Sequence, residues 1–298
     1  MAKIGIVGFG YVGRAFKKMV EKKYEVVAID EEKLYQFRTD GFSREDSKNE
    51  IDFKAEINKC DLAVICVPTP MDSQEFVKID GINIYRCDTS IVEEAVSWLK
   101  TPVILIKSTI EPGTTDRLKE KYKKRIVMSP EYVGETKYFV TPRMEFQKEM
   151  GKCPFIIVGG DKKDCEYVFD LLIPVLGPEK TYKQVESIEA EIIKYMENFY
   201  FGWKITFINL FYDAVKKANA SWYDVRDGWG LDPRVDIMHT AIFPEKRGFD
   251  GKCLPKDLNA FIYWMIKKGL DVKPFIEMLK YNLKLRGKKD YLDQPKSH

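Results

Sequence analysis

Residues 3–13 read Lys3-Ile4-Gly5-Ile6-Val7-Gly8-Phe9-Gly10-Tyr11-Val12-Gly13, a short apolar run that breaks into a Gly-x-Gly-x-x-Gly turn. Beyond it Val12, Ala15, Phe16, Met19 and Val20 recur at helical spacing, and a second apolar run over 24–29 ends at Asp30. Strand, glycine turn, helix and acid-ended strand is the order of a dinucleotide-binding βαβ unit. Gly8 and Gly10 permit a tight turn and a close approach of backbone to a pyrophosphate, and Gly13 lets helix pack on strand. The helix start offers N–H groups and a positive dipole end to phosphates. A carboxylate at Asp30 accepts bonds from ribose hydroxyls and repels a 2′-phosphate, which favours NAD over NADP. NAD is therefore the expected cofactor, held by Gly8, Gly10, Tyr11, Val12, Gly13 and Asp30.

Outward from this unit the same alternation continues. Strands are expected at 3–7, 24–29, 62–67, 103–107, 126–128 and 155–158, with a helix over 89–99 that opens on the capping-box pattern Ser90-x-x-Glu93. Short apolar runs alternating with amphipathic helices indicate an α/β Rossmann domain with a doubly wound, mostly parallel sheet. From Ser187 to Ala218 only Gly202 interrupts a long helical pattern, and shorter helices follow. The expected organisation is a Rossmann domain over 1–185, then a long central helix and an all-α second lobe over 186–298.

Composition narrows the classes. Lys+Arg 49 against Asp+Glu 46 leaves a net charge of +3, too balanced for a nucleic-acid or acidic-membrane surface. The N-terminus enters a strand directly and no apolar run approaches a membrane span, so neither a signal peptide nor a membrane partner is expected. Six cysteines without Cys-x-x-Cys spacing and only two histidines argue against a metal site or a disulfide framework, and fit a cytoplasmic chain.

Four further segments carry chemistry. Cys66-Val67-Pro68-Thr69-Pro70, Lys107-Ser108-Thr109 and Ser129-Pro130-Glu131-Tyr132-Val133-Gly134-Glu135 each follow a strand, where ligands of open α/β sheets collect. The fourth, Gly248-Phe249-Asp250-Gly251-Lys252-Cys253-Leu254-Pro255-Lys256-Asp257, lies in the helical lobe. Cys253 precedes a helix with Pro255 in its first turn, and the helix start with Lys252 and Lys256 favours a nucleophilic thiolate. Lys194 and Asn198 stand i, i+4 on one face of the long helix, a spacing also common on solvated faces.

With these motifs in register from residue 5 to about 285, the sequence resembles the nucleotide-sugar dehydrogenases, the UDP-glucose and GDP-mannose 6-dehydrogenase family. The resemblance implies a double oxidation of a primary alcohol to a carboxylate with two NAD+ reduced. It implies Cys253 as the nucleophile that forms a thiohemiacetal and then a thioester, and Lys194 and Asn198 as stabilisers of the developing alkoxide. It further implies Asp257 and Thr109 as holders of a proton-accepting water and Glu131 as the base of thioester hydrolysis. Pro68, Thr69, Thr109, Glu135 and Lys256 would complete the cofactor site, while Glu131, Tyr132, Lys194, Asn198, Arg234, Phe249 and Gly251 would touch the nucleotide sugar, UDP-glucose being favoured. A homodimer is expected, because the aromatic long helix (Phe199, Tyr200, Trp203, Phe207, Phe211) exceeds what one lobe can shield.

The family carries a further Rossmann-like domain that grips the nucleotide, and this sequence ends at His298 without a counterpart. Asp250 replaces a glycine of the family's pattern and Lys252 a small residue, and 238–247 departs from it. Two other readings stand beside the first. One is a single-step hydroxyacid-type dehydrogenase, which also pairs a Rossmann lobe with a helical one but has no use for a Cys nucleophile. The other is a non-catalytic NAD-binding module.

Overall fold

The computed structural model describes residues 2–31, 33–41, 43–47, 52–134, 145 and 147–293. The chain opens with β1 (Lys3–Val7), α1 (Tyr11–Val20), β2 (Glu25–Asp30), β3 (Lys33–Phe37) and β4 (Ser43–Ser47). It continues with α2 (Phe53–Ile57), β5 (Leu62–Ile65), β6 (Met71–Ile79), β7 (Ile82–Cys87) and α3 (Ser90–Trp98). Next come β8 (Val103–Ile106), α4 (Thr114–Tyr122), β9 (Ile126–Met128), β10 (Phe155–Gly159), α5 (Lys162–Leu176) and β11 (Thr181–Val185). The remainder is helical: α6 (Ser187–Lys217), α7 (Trp222–Trp229), α8 (Leu254–Lys267) and α9 (Lys273–Arg286).

Two compact units emerge, Met1–Thr69 with Asp88–Lys194, and Pro70–Cys87 with Tyr195–His298. The first holds a nine-stranded sheet in the order β11-β10-β9-β8-β5-β1-β2-β3-β4. Pairing is parallel from β2 through β1, β5 and β8 to β9, as expected, and turns antiparallel at β9–β10 and at β2–β3–β4. Residues of β5, β8 and β9 are buried throughout, because helices cover both faces of a parallel sheet. α1 turns Gly13, Phe16 and Val20 onto it.

The capping box expected at Ser90 does not form. Thr89 is the N-cap of α3 without a side-chain bond, and Ser90 sits one position inside, its N–H donating to Asp88 Oδ1 at 2.8 Å. The Asp88 carboxylate thus takes the Ser90 N–H that Glu93 would accept in a capping box, while the Glu93 carboxylate holds Arg117 and Lys121 and the Glu93 N–H goes to Thr89 O.

The second unit gathers α8, α9 and the middle of α6 around Ile84, Leu258, Ile262, Ile276 and Leu279, while Trp222 of α7 packs with Ile208 and Val215 of α6 and Ile242 in a cluster of its own. It also includes a β6–β7 hairpin absent from the sequence reading, which packs on α8. The division falls at Lys194/Tyr195, whereas the sequence reading sets it at 185/186. The physical reason is that Ala190, fully buried, packs with the sheet, and Glu191, also fully buried, is bonded to Gly113 and Thr115 at the start of α4. α6 has 31 residues and is therefore about 46 Å long. Phe199 is buried against Phe261 and Phe275, while Tyr200, Phe207, Leu210 and Phe211 are exposed. No helix among the described residues is long and apolar enough to cross a membrane.

Candidate active site

In the sheet unit, the ends of the parallel strands collect the expected residues. Gly8 has φ +91, and a Cβ there would meet the Cys66 carbonyl at 2.7 Å. At Gly13 a Cβ would lie 2.2 Å from the Gly8 carbonyl, so helix and turn touch backbone to backbone. At Gly10, in contrast, a Cβ would meet nothing within 4 Å. That space adjoins the first turn of α1, which has neither a side-chain cap nor an acidic residue. The cradle fits a pyrophosphate, whose close approach any side chain at Gly10 would obstruct. Asp30 closes β2 alongside, since the Gly8 N–H donates to Ile29 O at 2.9 Å. The Tyr11 hydroxyl donates to Gly134 O at 2.5 Å, joining the turn to the loop that follows β9.

Thr69 Oγ1 donates to Thr109 O at 2.8 Å and Ser108 Oγ to Val67 O at 2.7 Å, so the loops after β5 and β8 form one layer. Pro68 is exposed beside Thr69. Beneath them Lys107 Nζ lies 3.1 Å from Glu131 Oε2, and both residues are buried. The other carboxylate oxygen of Glu131 accepts the N–H groups of Tyr132 and Val133 at 2.8 and 2.7 Å. Lys194 Nζ stands 5.3 Å from the centroid of the Tyr132 ring, a cation–π contact that joins two expected substrate residues. Glu135 lies outside the described residues.

The helical unit carries the thiol. Cys253 is exposed at the N-cap of α8, with Pro255 in the first turn, and the Asp257 N–H donates to Cys253 O at 2.9 Å. Asp257 is buried, and its carboxylate is shared by Asn198 Nδ2 at 2.5 Å and Lys256 Nζ. Burial pulls the Lys256 amine down, but Asp257 beside it outweighs this and raises it overall, helped by Cys87 and Cys253. A fixed ammonium therefore stands in the first turn of the helix that the thiol caps.

Among the other expected substrate residues, Phe249 is buried in the core of the unit, and Gly251, φ +90, is exposed. Arg234 is 88% exposed and bound by Asp232 at 2.6 Å. It lines a surface cavity of about 390 Å³ with Trp203, Lys204, Phe207 and Trp229. Asp250, the residue in place of a glycine, is neutralised by Arg286.

Three polar residues escape the sequence reading. Lys107 is quoted there without a role. Glu191 accepts from Thr115 N–H, Thr115 Oγ1 and Gly113 N–H at the start of α4. Asn282 holds both backbone groups of Phe249, Oδ1 accepting at 2.7 Å and Nδ2 donating at 3.1 Å. Asn282 is signalled as a polar residue inside an otherwise apolar stripe (Phe275, Met278, Leu279, Leu285), whereas Glu191, with Ser187, Lys194 and Asn198 on its stripe, carries no such signal.

Residues 17–173 match the NAD binding domain of the UDP-glucose/GDP-mannose dehydrogenase family, and residues 188–284 match its central domain. The UDP-glucose 6-dehydrogenase of Campylobacter jejuni is 28% identical over 301 residues, 92% of this chain and 71% of that protein. The UDP-N-acetyl-D-mannosamine dehydrogenase of Methanococcus vannielii is also 28% identical, over 86% of this chain and 60% of its own length. The chain thus spans roughly 60 to 70% of such relatives. Its fold is shared with a UDP-glucose dehydrogenase from Pyrobaculum islandicum, TM-score 0.68 at 21% identity, covering 95% of this chain and 68% of that one. It is shared too with the 3-hydroxyisobutyrate dehydrogenase of Mycobacterium tuberculosis, TM-score 0.64 at 13% identity, covering 96% and 94%. Since the NAD-binding match alone takes in more than half of the sequence, the chain belongs to the UDP-glucose/GDP-mannose dehydrogenase family.

Proposed function

We propose that the protein oxidises the 6-hydroxyl of a nucleotide sugar, of the UDP-glucose type, to the carboxylate in two NAD-dependent steps through a covalent bond to Cys253. The observation that carries this reading is the exposed Cys253 at the start of α8, backed by the buried Lys256–Asp257–Asn198 cluster. A single-step alcohol dehydrogenase needs no thiol there.

Gly8, Gly10, Tyr11, Val12, Gly13 and Asp30 would hold NAD, with Pro68, Thr69, Thr109, Glu135 and Lys256 completing its site. When bound, NAD accepts the hydride in each oxidation. Thr109 and Asp257 hold the water that takes the hydroxyl proton, and Lys194 with Asn198 stabilises the alkoxide. The Cys253 thiolate adds to the aldehyde, and loss of a second hydride leaves a thioester. Glu131 is the base for its hydrolysis. Glu131, Tyr132, Arg234, Phe249 and Gly251 contribute to the sugar-nucleotide contacts. The exposed aromatic face of α6 pairs two copies into a homodimer, and a reducing cytoplasm suits the thiol chemistry.

The test is a screen for NADH production over UDP-glucose, UDP-GlcNAc, UDP-galactose and GDP-mannose, repeated with Cys253→Ala. Two NADH per sugar are expected, with carboxylate formation abolished in the variant. One NADH per sugar, insensitive to Cys253→Ala, would instead establish the single-step hydroxyacid-type reading. NAD binding in calorimetry without binding of any sugar nucleotide would establish the non-catalytic one.

A further inference from the structure

Lys107 and Glu131 follow adjacent parallel strands, and the β8–β9 pairing sets their separation: Ile106 faces Met128, and the Ser129 N–H donates to Ile106 O at 2.9 Å. Their exposures are 7% and 8%, so the pair is almost dry. Lys107 Nζ also donates to Pro130 O at 3.1 Å and reaches Ser129 Oγ at 3.4 Å. On the carboxylate the two oxygens differ. Oε1 takes two backbone N–H groups, whereas Oε2 is buried with no aligned hydrogen bond, the amine lying 3.1 Å off as a charge. Both residues line a cavity of about 20 Å³ walled by Met150, Cys153 and Phe155. One water requires about 10–15 Å³ of such space.

A carboxylate in so dry a place takes up a proton unless a cation opposes it. Near the pair stand the thiols of Cys66 and Cys153, which bring no positive charge; Lys180 is held on the carbonyls of Gly151 and Cys153, and Lys194 lies over the neighbouring Tyr132 ring. Among the described residues Lys107 is the cation in ion-pair contact with Glu131.

We infer that Lys107 is the positioning residue of Glu131: its ammonium opposes the buried carboxylate and holds the second carboxylate oxygen toward one water in this cavity. The inference rests on the reading of Glu131 as the hydrolytic base. In that step the water gives its proton to the Glu131 carboxylate while its oxygen bonds to the acyl carbon. The C–S bond then breaks, its electron pair leaves on the Cys253 sulfur, and the acyl group departs as the carboxylic acid. Without Lys107 the buried carboxylate has no cation in ion-pair contact to hold it toward the water, and the thioester persists.

The test compares Lys107→Met, Lys107→Arg, Glu131→Gln and the double variant Lys107→Met/Glu131→Gln with the unmodified protein. In Lys107→Met the early NADH burst is kept, steady-state turnover falls about 100-fold, and acyl-Cys253 accumulates in intact-protein mass spectra. Its turnover recovers as pH rises, so the acid limb of the profile moves to higher pH. Lys107→Arg keeps the wild-type limb, and Glu131→Gln and the double variant recover at no pH. Lys107→Met with unchanged turnover and an unchanged limb overturns the inference. Should Lys107→Met fail to fold, the limb is read from Lys107→Gln, which removes the charge and keeps a donor, and a wild-type limb there overturns the inference; the double variant, which buries no lone charge, shows whether the pair can be removed without loss of fold. Isotope-edited infrared spectroscopy of the Glu131 carboxylate requires no turnover. A protonated band that appears at higher pH in Lys107→Met than in wild type supports Lys107 even if no sugar is oxidised, and coincident titrations overturn it even if one is.

Discussion

The Glu191 carboxylate accepts both hydrogen bonds that Thr115 can donate, the amide at 2.8 Å and the hydroxyl at 2.6 Å. Its second oxygen takes the Gly113 amide. Gly113, in the left-handed region, is the N-cap of α4 and has no side chain with which to cap it. Glu191 supplies the cap from α6, one turn before Lys194, and so ties that lysine's helix to the segment that follows Thr109.

Burial pushes the Glu191 carboxyl up to about 7, against the pull of the Thr115 and Gly113 bonds, and Asp116 adds to the rise. Below about pH 4.5 both folded and unfolded chains carry the proton. Between 4.5 and 7 the unfolded chain has released it and the folded chain has not, so stability falls as pH rises through that window and levels off above it. A rise of this size corresponds to about 3–4 kcal/mol in all, of which about 2–3 kcal/mol falls between pH 5 and 8. In urea titrations at pH 5, 6, 7 and 8, Glu191→Gln is therefore expected to gain on the wild type by about that amount. A difference between the two proteins that stays level across the series would refute it.

The three glycines of the first turn are separable by experiment. Gly13→Ala places a methyl 2.2 Å from the Gly8 carbonyl and is expected to lose about 3 kcal/mol or more, or to be insoluble. Gly10→Ala adds its methyl to open space and is expected to stay within about 1 kcal/mol of wild type. Its NAD affinity should nevertheless fall at least about tenfold by calorimetry, because that space is where the pyrophosphate approaches the backbone. Unchanged NAD binding in Gly10→Ala would place the phosphates elsewhere.

The parallel strands were legible because β5, β8 and β9 are unbroken apolar runs, as sheets covered on both faces require. α6 was legible because a helical pattern of this length, free of Pro and broken by Gly202 alone, has few other solutions. The β6–β7 hairpin was missed although its turn is written plainly. Asp80 and Gly81 both have positive φ, 46° and 87°, and Asp-Gly between alternating apolar residues is a strong hairpin signal. Two adjacent antiparallel strands depart from the rhythm of strand, helix, strand that the parallel strands follow. Within the site, the glycine turn and Cys253 announce themselves by residue type. Lys107 does not, since its meaning comes from Glu131, 24 positions on, and only strand pairing brings the two together. At α3 the Asp88 carboxylate replaced Glu93 as acceptor of the Ser90 N–H, because an Asx turn and a capping box compete for that group.

Asn282 is the anchor of the thiol loop. Its side chain satisfies both backbone groups of Phe249, and at Gly248 (φ +78) a Cβ would strike its oxygen at 2.4 Å. Asn282→Ala leaves a buried N–H and C=O without partners, and is expected to cost about 2–4 kcal/mol in chemical denaturation. Asn282→Asp keeps an acceptor for the Phe249 N–H, loses the donor and should fall between. Equal stability of all three proteins would show that water replaces these bonds without penalty.

Thiol reactivity should single out Cys253. Burial pushes the Cys60 and Cys165 thiols up to about 12, and raises Cys66 and Cys153 as well. At pH 8 a thiol with pKa 12 is about 0.01% thiolate, and its enclosure slows attack further. Cys87 is fully buried beside Tyr195 and Ala260, while Cys253 is exposed at a helix start near Lys256. Peptide mass spectrometry over a time course with iodoacetamide is thus expected to show Cys253 alkylated at least about 100-fold faster than any other cysteine. NADH production should decay in step with it. Labelling of Cys66 or Cys153 at a comparable rate would mean that the loops around Glu131 open on that timescale, and the dry ion pair with Lys107 would then lose its basis.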